Sequence, residues 1–401
     1  MAVLENKNVL VCVTAGIAAY KAVEVVRLLQ KEGADVWVTM TRGAKEFVGE
    51  TTFAAISGHP VLSNLFDEGK GASIGHIELA ERADVVVVAP ATADVIGKLA
   101  HGIADDAVTT TMLAVTAPKL ICPAMNSHMY ENRAVQRNID ILEGDGYILV
   151  EPGVGEMACG TTGPGRLAEP PTIVDRVKAA LYPKDLSGKK IMVSAGPTRE
   201  AIDPVRYISN RSSGKMGYEI ARAAEYRGAE VTLVSGPVSL ASPLGVDRLS
   251  VTSVGEMAET IFSRLDDVDA VIKVAAVADY RPRTRAEHKI KKKSDDMTLE
   301  LDKNIDILKE LGKRKTRQVL VGFAAETQSL AENARKKIEA KNLDMIVGNL
   351  VGDPASGFGT DTNIVTFFHP DGRKEPFESM GKDVVAHELL NRVSGLLKER
   401  L

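Results

Sequence analysis

The sequence predicts an α/β protein built from two tandem doubly wound domains with mainly parallel sheets. Three observations predict this fold class. Short β-branched runs alternate with stretches that carry apolar residues at helical spacing, which is the pattern of β-α-β units. The same order of elements begins twice, near residue 8 and again near residue 190. Finally, 401 residues are enough for two or three domains, each with its own core.

In the N-terminal half, the β-branched run Asn8–Thr14 predicts a strand, followed by a turn at Gly16. Helical spacing then predicts a helix over Ala18–Lys31, and Asp35–Met40 predicts a second strand. This β-α-β connection requires parallel strands. Further strands are predicted at three apolar runs: Asp84–Pro90, Lys119–Pro123 and Tyr147–Val150. Their continuous apolar character indicates a Rossmann-like sheet covered on both faces.

Apolar periodicity stops in "YPKDLSGKK", residues 182–190, which predicts a linker between domains 1–181 and 191–401. In the second domain a strand is predicted at Lys190–Ser194, a turn at "AGPTRE", a helix at Gly217–Arg227 and a strand at Glu230–Ser235. Later strands are predicted at Ala270–Ala275, Gln318–Phe323, Asp344–Gly348 and Asn363–Phe368. We expect the last of these at the edge of the sheet.

Composition excludes several classes of protein. Apolar residues make up 44% and charged residues 26%, which fits neither a disordered nor a fibrous chain. The net charge of -4 gives no global attraction to nucleic acid or to anionic lipid. The cysteines Cys12, Cys122 and Cys159 have no metal-binding spacing and are odd in number, so we expect a reducing compartment. No apolar run approaches a membrane span, and a cytoplasmic location is expected.

Ligands of doubly wound sheets bind beyond the carboxyl ends of the strands, so the loops there are the candidate sites. The first, "TAGIAAYK", has neither the dinucleotide nor the triphosphate glycine motif, and it is either a phosphate-binding turn or an ordinary tight turn. The loops "APATAD" and "PAMN" both bring small residues to a strand end, where a planar ligand could approach the backbone. Read alone, Asn126 is more simply interpreted as a helix cap, and Met125 and Met129 as core residues, than as functional residues.

Two further residues have the chemistry of acid-base groups. His76 precedes an amphipathic segment and could be an acid or base, although a cap or surface residue is the simpler interpretation. Cys159 lies in the glycine-rich loop "GEMACGTTGPGR", which indicates a mobile lid rather than a core element.

The motifs "GIAAYK", "GHIEL", "APATAD", "PAMN" and "ACG", in this order, closely resemble the flavin-dependent cysteine decarboxylases. The resemblance implies FMN surrounded by six residues: Gly16, Thr39, Thr41, Ala89, Pro90 and Thr92. It implies that His76 is the active-site base, that Asn126 holds the substrate carboxylate with Met125 nearby, and that Cys159 returns a proton. It also implies a trimer with the active site between subunits.

The second half contains "AGPTRE", "DPVRYISNRSSGKMG", "AAVADY", "KIKK" and "GFAAET", which resemble phosphopantothenate-cysteine ligases. The resemblance implies CTP-dependent activation of phosphopantothenate as an acyl-cytidylate, attack by cysteine, and a dimer. Lys289 is implied in activation, Asn210 in contact with the acyl-phosphate, and Asp279 in binding nucleotide or Mg²⁺. Further substrate or nucleotide contacts are implied at Arg206, Ser212, Ser213, Gly214, Ala275 and Phe323.

Together the two halves resemble the bifunctional decarboxylase/ligase family of coenzyme A biosynthesis over essentially the whole chain. A homo-oligomer combining trimers and dimers is implied, such as a dodecamer. Two alternatives stay open. A non-catalytic flavoprotein would lack CTP turnover. A nucleic-acid-binding protein would have to rely on the single basic run Lys289–Lys293, without aromatic stacking residues and with an acidic net charge.

Overall fold

The computed structural model describes residues 3–65, 75–156, 160, 162–291, 297–326, 330–350 and 359–400. The chain divides into two compact units, residues 1–183 and 184–401. Each unit is an α/β structure with its own sheet and its own core. The mainly parallel, doubly wound fold predicted from the sequence is confirmed.

The N-terminal unit contains a parallel sheet with the strand order β2-β1-β3-β4-β5 and a separate antiparallel hairpin, β6-β7. Its strands are β1 Asn8–Val13, β2 Asp35–Met40, β3 Val85–Ala91, β4 Lys119–Pro123, β5 Tyr147–Leu149, β6 Gly153–Glu156 and β7 Thr162–Arg166. Its helices are α1 Ala19–Lys31, α2 Glu50–Ser57, α3 His76–Arg82, α4 Ala93–Ala100, α5 Ala107–Ala114, α6 Ser127–Tyr130, α7 Arg133–Gly144 and α8 Pro170–Leu181.

Strand β1 shows why this sheet is buried on both sides. Val9, Val11 and Val13 belong to one core cluster, while Leu10 and Cys12 belong to another on the opposite face. Successive side chains of a strand point to opposite faces, so an uninterrupted apolar run fills two cores.

The C-terminal unit contains a larger sheet with the order β12-β11-β8-β13-β16-β17-β19-β20, in which only the pairings of β19 are antiparallel. Its strands are β8 Lys190–Ala195, β9 Arg199–Ala201, β10 Tyr207–Ser209, β11 Glu230–Ser235, β12 Val246–Ser250, β13 Ala270–Lys273, β14 Tyr280–Pro282, β15 Leu301–Lys303, β16 Val319–Glu326, β17 Met345–Leu350, β18 Thr362–Asn363, β19 Val365–Phe368, β20 Lys374–Pro376 and β21 Met380–Gly381. Its helices are α9 Lys215–Tyr226, α10 Val254–Phe262, α11 Ile307–Arg314, α12 Leu330–Lys341 and α13 Lys382–Lys398.

Two expectations about this unit were wrong. The segment Asn363–Phe368 is not the sheet edge, because Gly372 adopts a φ of +88° and turns the chain back, so that β20 pairs outside β19. The turn "AGPTRE" is shorter than expected, since Arg199 already begins β9. Strands β9 and β10 form an antiparallel ribbon separate from the main sheet, and β14 and β15 form another.

Candidate active sites

The N-terminal unit has a cavity of about 810 Å³ beside the carboxyl ends of β1, β3 and β4. This volume is within the range of cofactor sites. The loops after these strands line it together with the start of α1 and the end of β7. Most of its lining is contributed by small or apolar residues, such as Ala15, Ile17, Ala124 and Met129.

The buried side chain of Thr14 links two of the loops beside this cavity. Its hydroxyl donates to the Pro90 carbonyl oxygen at 2.6 Å and accepts the Thr92 N–H at 3.2 Å. The loop after β1 is therefore bound directly to the loop after β3. The loop after β2 also approaches closely, since a Cβ at Gly43 would lie 2.8 Å from Ala15 Cβ.

The six residues expected around the cofactor divide into two groups. Three line the cavity: Gly16, Thr41 and Thr92. The other three lie outside its lining: Thr39, Ala89 and Pro90. Thr39 is buried, and its hydroxyl donates to the Leu62 carbonyl oxygen at 2.9 Å. The structure therefore gives Thr39 a role within the fold.

Asn126 lines the cavity with Met125, on a loop held by strand β7. Asn126 caps α6, since its Oδ1 accepts the His128 N–H at 2.9 Å. The Met125 N–H donates to the Gly165 carbonyl oxygen at 2.9 Å. Gly165 has a φ of +124°, and a Cβ there would lie 2.4 Å from the Met125 carbonyl oxygen. Only glycine allows β7 to approach the Asn126 loop this closely.

Two cationic side chains that were not predicted also line this cavity. Lys21 is almost buried, with 10% of its side chain exposed, and its Nζ lies 3.1 Å from the Glu169 carboxylate. Arg166 contacts the same carboxylate at 3.0 Å. A lysine in the first turn of an amphipathic helix is ordinarily a surface residue, which is why the pattern gave no signal.

The two residues with acid-base chemistry, His76 and Cys159, have different outcomes. His76 is the first residue of α3 and does not belong to the cavity lining. Cys159 lies outside the described residues, between β6 and β7 in sequence. The other two cysteines, Cys12 and Cys122, are buried, and burial raises the pKa of both thiols.

The C-terminal unit has a cavity of about 470 Å³ beside the carboxyl ends of β8, β13 and β16. The start of α9 forms one wall with Asn210, Ser212, Ser213 and Gly214. Gly214 has a φ of +80°, and a Cβ at Gly217 would lie 2.6 Å from Ala195 Cβ. These glycines bring the helix start against the sheet, where its N–H groups attract anions.

The "AAVADY" loop forms the opposite wall and is held by side-chain hydrogen bonds. Asn210 Nδ2 donates to the Ala276 and Val277 carbonyl oxygens at 3.2 and 3.0 Å. Asn304 Nδ2 donates to the Ala278 carbonyl oxygen at 2.9 Å. Ala275, Asp279 and Phe323, all expected at this site, line the cavity with Asn210.

The lining is rich in lysines that sequence reasoning missed: Lys215, Lys273, Lys303, Lys337, Lys341 and Lys382. Lys341 pairs with Asp306 at 2.8 Å. Lys273 is buried at the end of β13, and burial, with the nearby Lys341, lowers its pKa to about 8. A lysine inside an apolar strand was the available signal, because Lys is almost never buried without a reason.

This cavity suits a polyanionic nucleotide. Its lysines and helix start supply positive charge. Asn304 Oδ1 is buried without a hydrogen-bond partner among the described residues and can accept only from a donor, such as an amino or hydroxyl group of a nucleotide. Arg206 and Lys289 do not belong to the lining, although the sequence resemblance implied a role for both. Arg206 is bound within its own chain to Asp203, and Lys289 is exposed. Lys291 is exposed as well, whereas Lys292 and Lys293 lie outside the described residues.

The described ranges contain neither a candidate metal cluster nor a membrane-spanning helix. No group of three or more His, Cys, Asp or Glu side chains there could hold a metal ion. No helix there is long and apolar enough to cross a membrane.

Comparisons with known proteins match the two units to two different protein families. Residues 2–182 match the family described as Flavoprotein, and residues 186–396 match the DNA/pantothenate metabolism flavoprotein C-terminal domain. These matches define a two-domain flavoprotein of pantothenate metabolism. The chain is 52% identical over 400 residues to the coenzyme A biosynthesis bifunctional protein CoaBC of Bacillus subtilis, covering 99% of this chain and 98% of the relative.

The CoaBC protein of Escherichia coli K12 is 46% identical over 396 residues, which cover 97% of each chain. A solved C-terminal domain of a CoaBC protein is 44% identical and covers 54% of this chain and 99% of that one, with a TM-score of 0.47. The chain belongs to the CoaBC family of bifunctional coenzyme A biosynthesis proteins.

Proposed function

We propose that the C-terminal unit joins 4'-phosphopantothenate to cysteine with CTP, and that the N-terminal unit decarboxylates the product to 4'-phosphopantetheine with FMN. The observation that carries this proposal is the pair of strand-end cavities with opposite chemistry in a member of the CoaBC family. One is mainly apolar and suits a flat ring, and the other is lined by lysines and suits a triphosphate. We also propose a cytoplasmic location.

FMN, when bound, would supply the two-electron acceptor for oxidation of the substrate thiol to a thioaldehyde, which is the electron sink that decarboxylation needs, and would return the same two electrons when the enethiol is reduced. The small residues Gly16 and Thr92 leave room for the cofactor, and the apolar walls exclude water. Asn126 is placed to orient the substrate carboxylate. His76 is proposed as the base, and Cys159 as the group that returns a proton to the enethiol.

The proposed decarboxylase site is completed by another subunit. Three apolar residues at the N-terminal cavity are exposed in the single chain: Ile17 at 63%, Tyr20 at 59% and Met129 at 49%. Exposed apolar surface beside a binding cavity supports an interface with a second copy. His76 does not line the cavity of its own chain, which agrees with a site between subunits. We propose trimers through this unit and dimers through the ligase unit, combined for instance as a dodecamer.

In the ligase reaction, a carboxylate oxygen of phosphopantothenate attacks the α-phosphorus of CTP and pyrophosphate leaves. The cysteine amine then attacks the acyl carbon and CMP leaves. Ser212, Ser213 and Gly214 would hold phosphate at the start of α9. Lys289 is proposed to stabilise charge during activation and Asn210 to contact the acyl-phosphate. Asp279 would share Mg²⁺ with the nucleotide, because Mg²⁺ is commonly held by one or two carboxylates plus substrate phosphates.

The test is an absorbance spectrum of the purified chain together with CTP-dependent pyrophosphate release. A flavin spectrum and pyrophosphate release that requires phosphopantothenate are expected.

Cys159→Ala should still release carbon dioxide but stall before reduction. Lys289→Ala should lose pyrophosphate release, whereas Asn210→Asp should accumulate the acyl-cytidylate. A chain that holds flavin but never turns over CTP would instead be a non-catalytic flavoprotein.

A further inference from the structure

One carboxylate in the C-terminal unit collects an unusual number of hydrogen bonds outside the cavity. The side chain of Asp203 is fully enclosed beneath the turn between β9 and β10. Its Oδ1 accepts the N–H groups of Val205 and Arg206, both at 2.8 Å. Its Oδ2 accepts Arg206 Nε at 3.0 Å and the Ile290 N–H at 3.2 Å, together with Arg206 Nη2.

These hydrogen bonds hold a segment that is distant in sequence, the backbone at Ile290. Arg206 Nη2 also donates to the Ile290 carbonyl oxygen at 3.1 Å, so the Asp203–Arg206 pair holds Ile290 by both of its backbone groups. A second anchor lies shortly before it, where the Ala286 N–H donates to the Ile202 carbonyl oxygen at 3.0 Å. Lys289 lies between these two anchors.

The charge of Asp203 matters for this arrangement. The Arg206 guanidinium and the three backbone N–H donors hold the pKa of the Asp203 carboxyl well below its usual range, so it is ionised at neutral pH. An ionised carboxylate accepts at both oxygens, whereas an amide accepts at one and donates at the other. An asparagine at this position would place an NH₂ group against N–H donors.

We propose that Asp203 is a positioning residue of the ligase, which fixes Lys289 for the activation step by holding Ile290 directly and through Arg206. The proposal rests on the proposed role of Lys289 in activation. Arg206 contributes through its Nε and Nη2 atoms, which donate to Asp203 Oδ2, and Nη2 donates to the Ile290 carbonyl oxygen as well. Its Nη1 makes no hydrogen bond with any residue that the structure describes.

The test uses the full-length protein and three single variants: Asp203→Asn, Lys289→Ala and Asp185→Asn. Asp185 is the matched control, because it accepts Arg227 Nε at 2.8 Å and Ser394 Oγ at 2.9 Å in the same unit but does not line the cavity. Pyrophosphate release should fall about 10- to 100-fold in Asp203→Asn, the effect expected for losing charge-assisted hydrogen bonds. It should stay near the wild-type rate in Asp185→Asn, and decarboxylation should stay unchanged in both.

The double variant Asp203→Asn/Lys289→Ala decides whether Asp203 acts through Lys289. Non-additivity is expected, with the double variant no slower than Lys289→Ala alone. Brief trypsin digestion adds a readout independent of activity, in which cleavage after Lys289 or Lys291 should accelerate in Asp203→Asn only. Additive losses, or wild-type cleavage rates at these two lysines, would overturn the proposal. General digestion of the C-terminal unit would also overturn it, because Asp203 would then be a residue of the fold.

If Lys289→Ala releases pyrophosphate normally, the assignment of Lys289 itself fails. That result is separate from the behaviour of Asp203→Asn in the trypsin experiment, so the two failures can be distinguished.

Discussion

At the residue scale, Thr14 shows how one hydroxyl can support a site without needing to contact its ligand. Thr14→Val keeps the shape but leaves the Pro90 carbonyl oxygen and the Thr92 N–H without their buried partner. An unsatisfied buried polar group costs about 1 to 3 kcal/mol, so the free energy of unfolding should fall by about this amount. Urea unfolding measures it, and flavin should dissociate faster. Thr14→Ser retains the hydroxyl and should behave nearly like wild type; an equal loss in both variants would contradict the role given to the two hydrogen bonds of the hydroxyl.

The buried Lys273 predicts a pH dependence of stability. Its pKa is lowered to about 8 in the folded chain, below the ordinary 10.5, so the unfolded chain binds more protons between these values. The free energy of unfolding should therefore rise with pH across this window. Lys273→Met removes the titrating group, and its unfolding free energy should lack this rise. Parallel urea titrations from pH 7.5 to about 10 measure the difference between the two curves, and identical slopes would contradict the prediction.

At the element scale, the strands of the main sheets could be predicted from sequence because their apolar, β-branched composition and the turn residues next to them indicate the same elements. The bounds of Asp35–Met40, Lys119–Pro123 and Glu230–Ser235 were predicted as the structure has them. The hairpin β6-β7 and the ribbons β9-β10 and β14-β15 could not be, since these strands are short and their pairing depends on distant contacts.

The candidate sites likewise contain some residues that the sequence could predict and others that it could not. Asn126 could be predicted as a candidate because it follows a strand of the parallel sheet, and parallel strand ends converge. Ser213 was implied only by the family resemblance. The lysines of α12 and of the start of α13 could not be predicted, because only the folded chain brings these helices to the cavity. They are Lys337, Lys341 and Lys382.

The close approach of β7 to the Asn126 loop gives a prediction for this element. Gly165→Ala must accommodate a Cβ 2.4 Å from the Met125 carbonyl oxygen at a φ of +124°, so either the strand or the loop moves. We expect stability to fall by more than about 1 kcal/mol and decarboxylation to slow, because Asn126 is displaced. Gly155→Ala in β6 is the matched control, since the nearest atom to its Cβ is Arg166 Nη1 at 3.7 Å. Equal losses of stability and rate in the two variants would exclude the close approach as the cause.

At the scale of the whole molecule, each hydrophobic cluster lies entirely within one unit. The two clusters of the first unit extend from Leu4 to Val177, and the two of the second from Leu186 to Leu397. Structures with separate cores can unfold in separate transitions, and a ligand stabilises only the state that binds it. The expected result is two calorimetric transitions, of which FMN raises only the first unit's and CTP with Mg²⁺ only the second's. At 100 times the dissociation constant each ligand should add about 2.7 kcal/mol to its own unit.

The two ligands serve as controls for each other in this experiment. The transition of the N-terminal unit is identified by the loss of flavin absorbance, because the proposed flavin site lies in that unit. Cleavage of the chain between Pro183 and Lys184 should leave both ligand effects in place, because each hydrophobic cluster of the described residues belongs to one unit. A single transition that both ligands raise together, or loss of the flavin spectrum after the cut, would mean that the units depend on each other for stability. In that case the separate cores would not be enough to hold either site in its binding form.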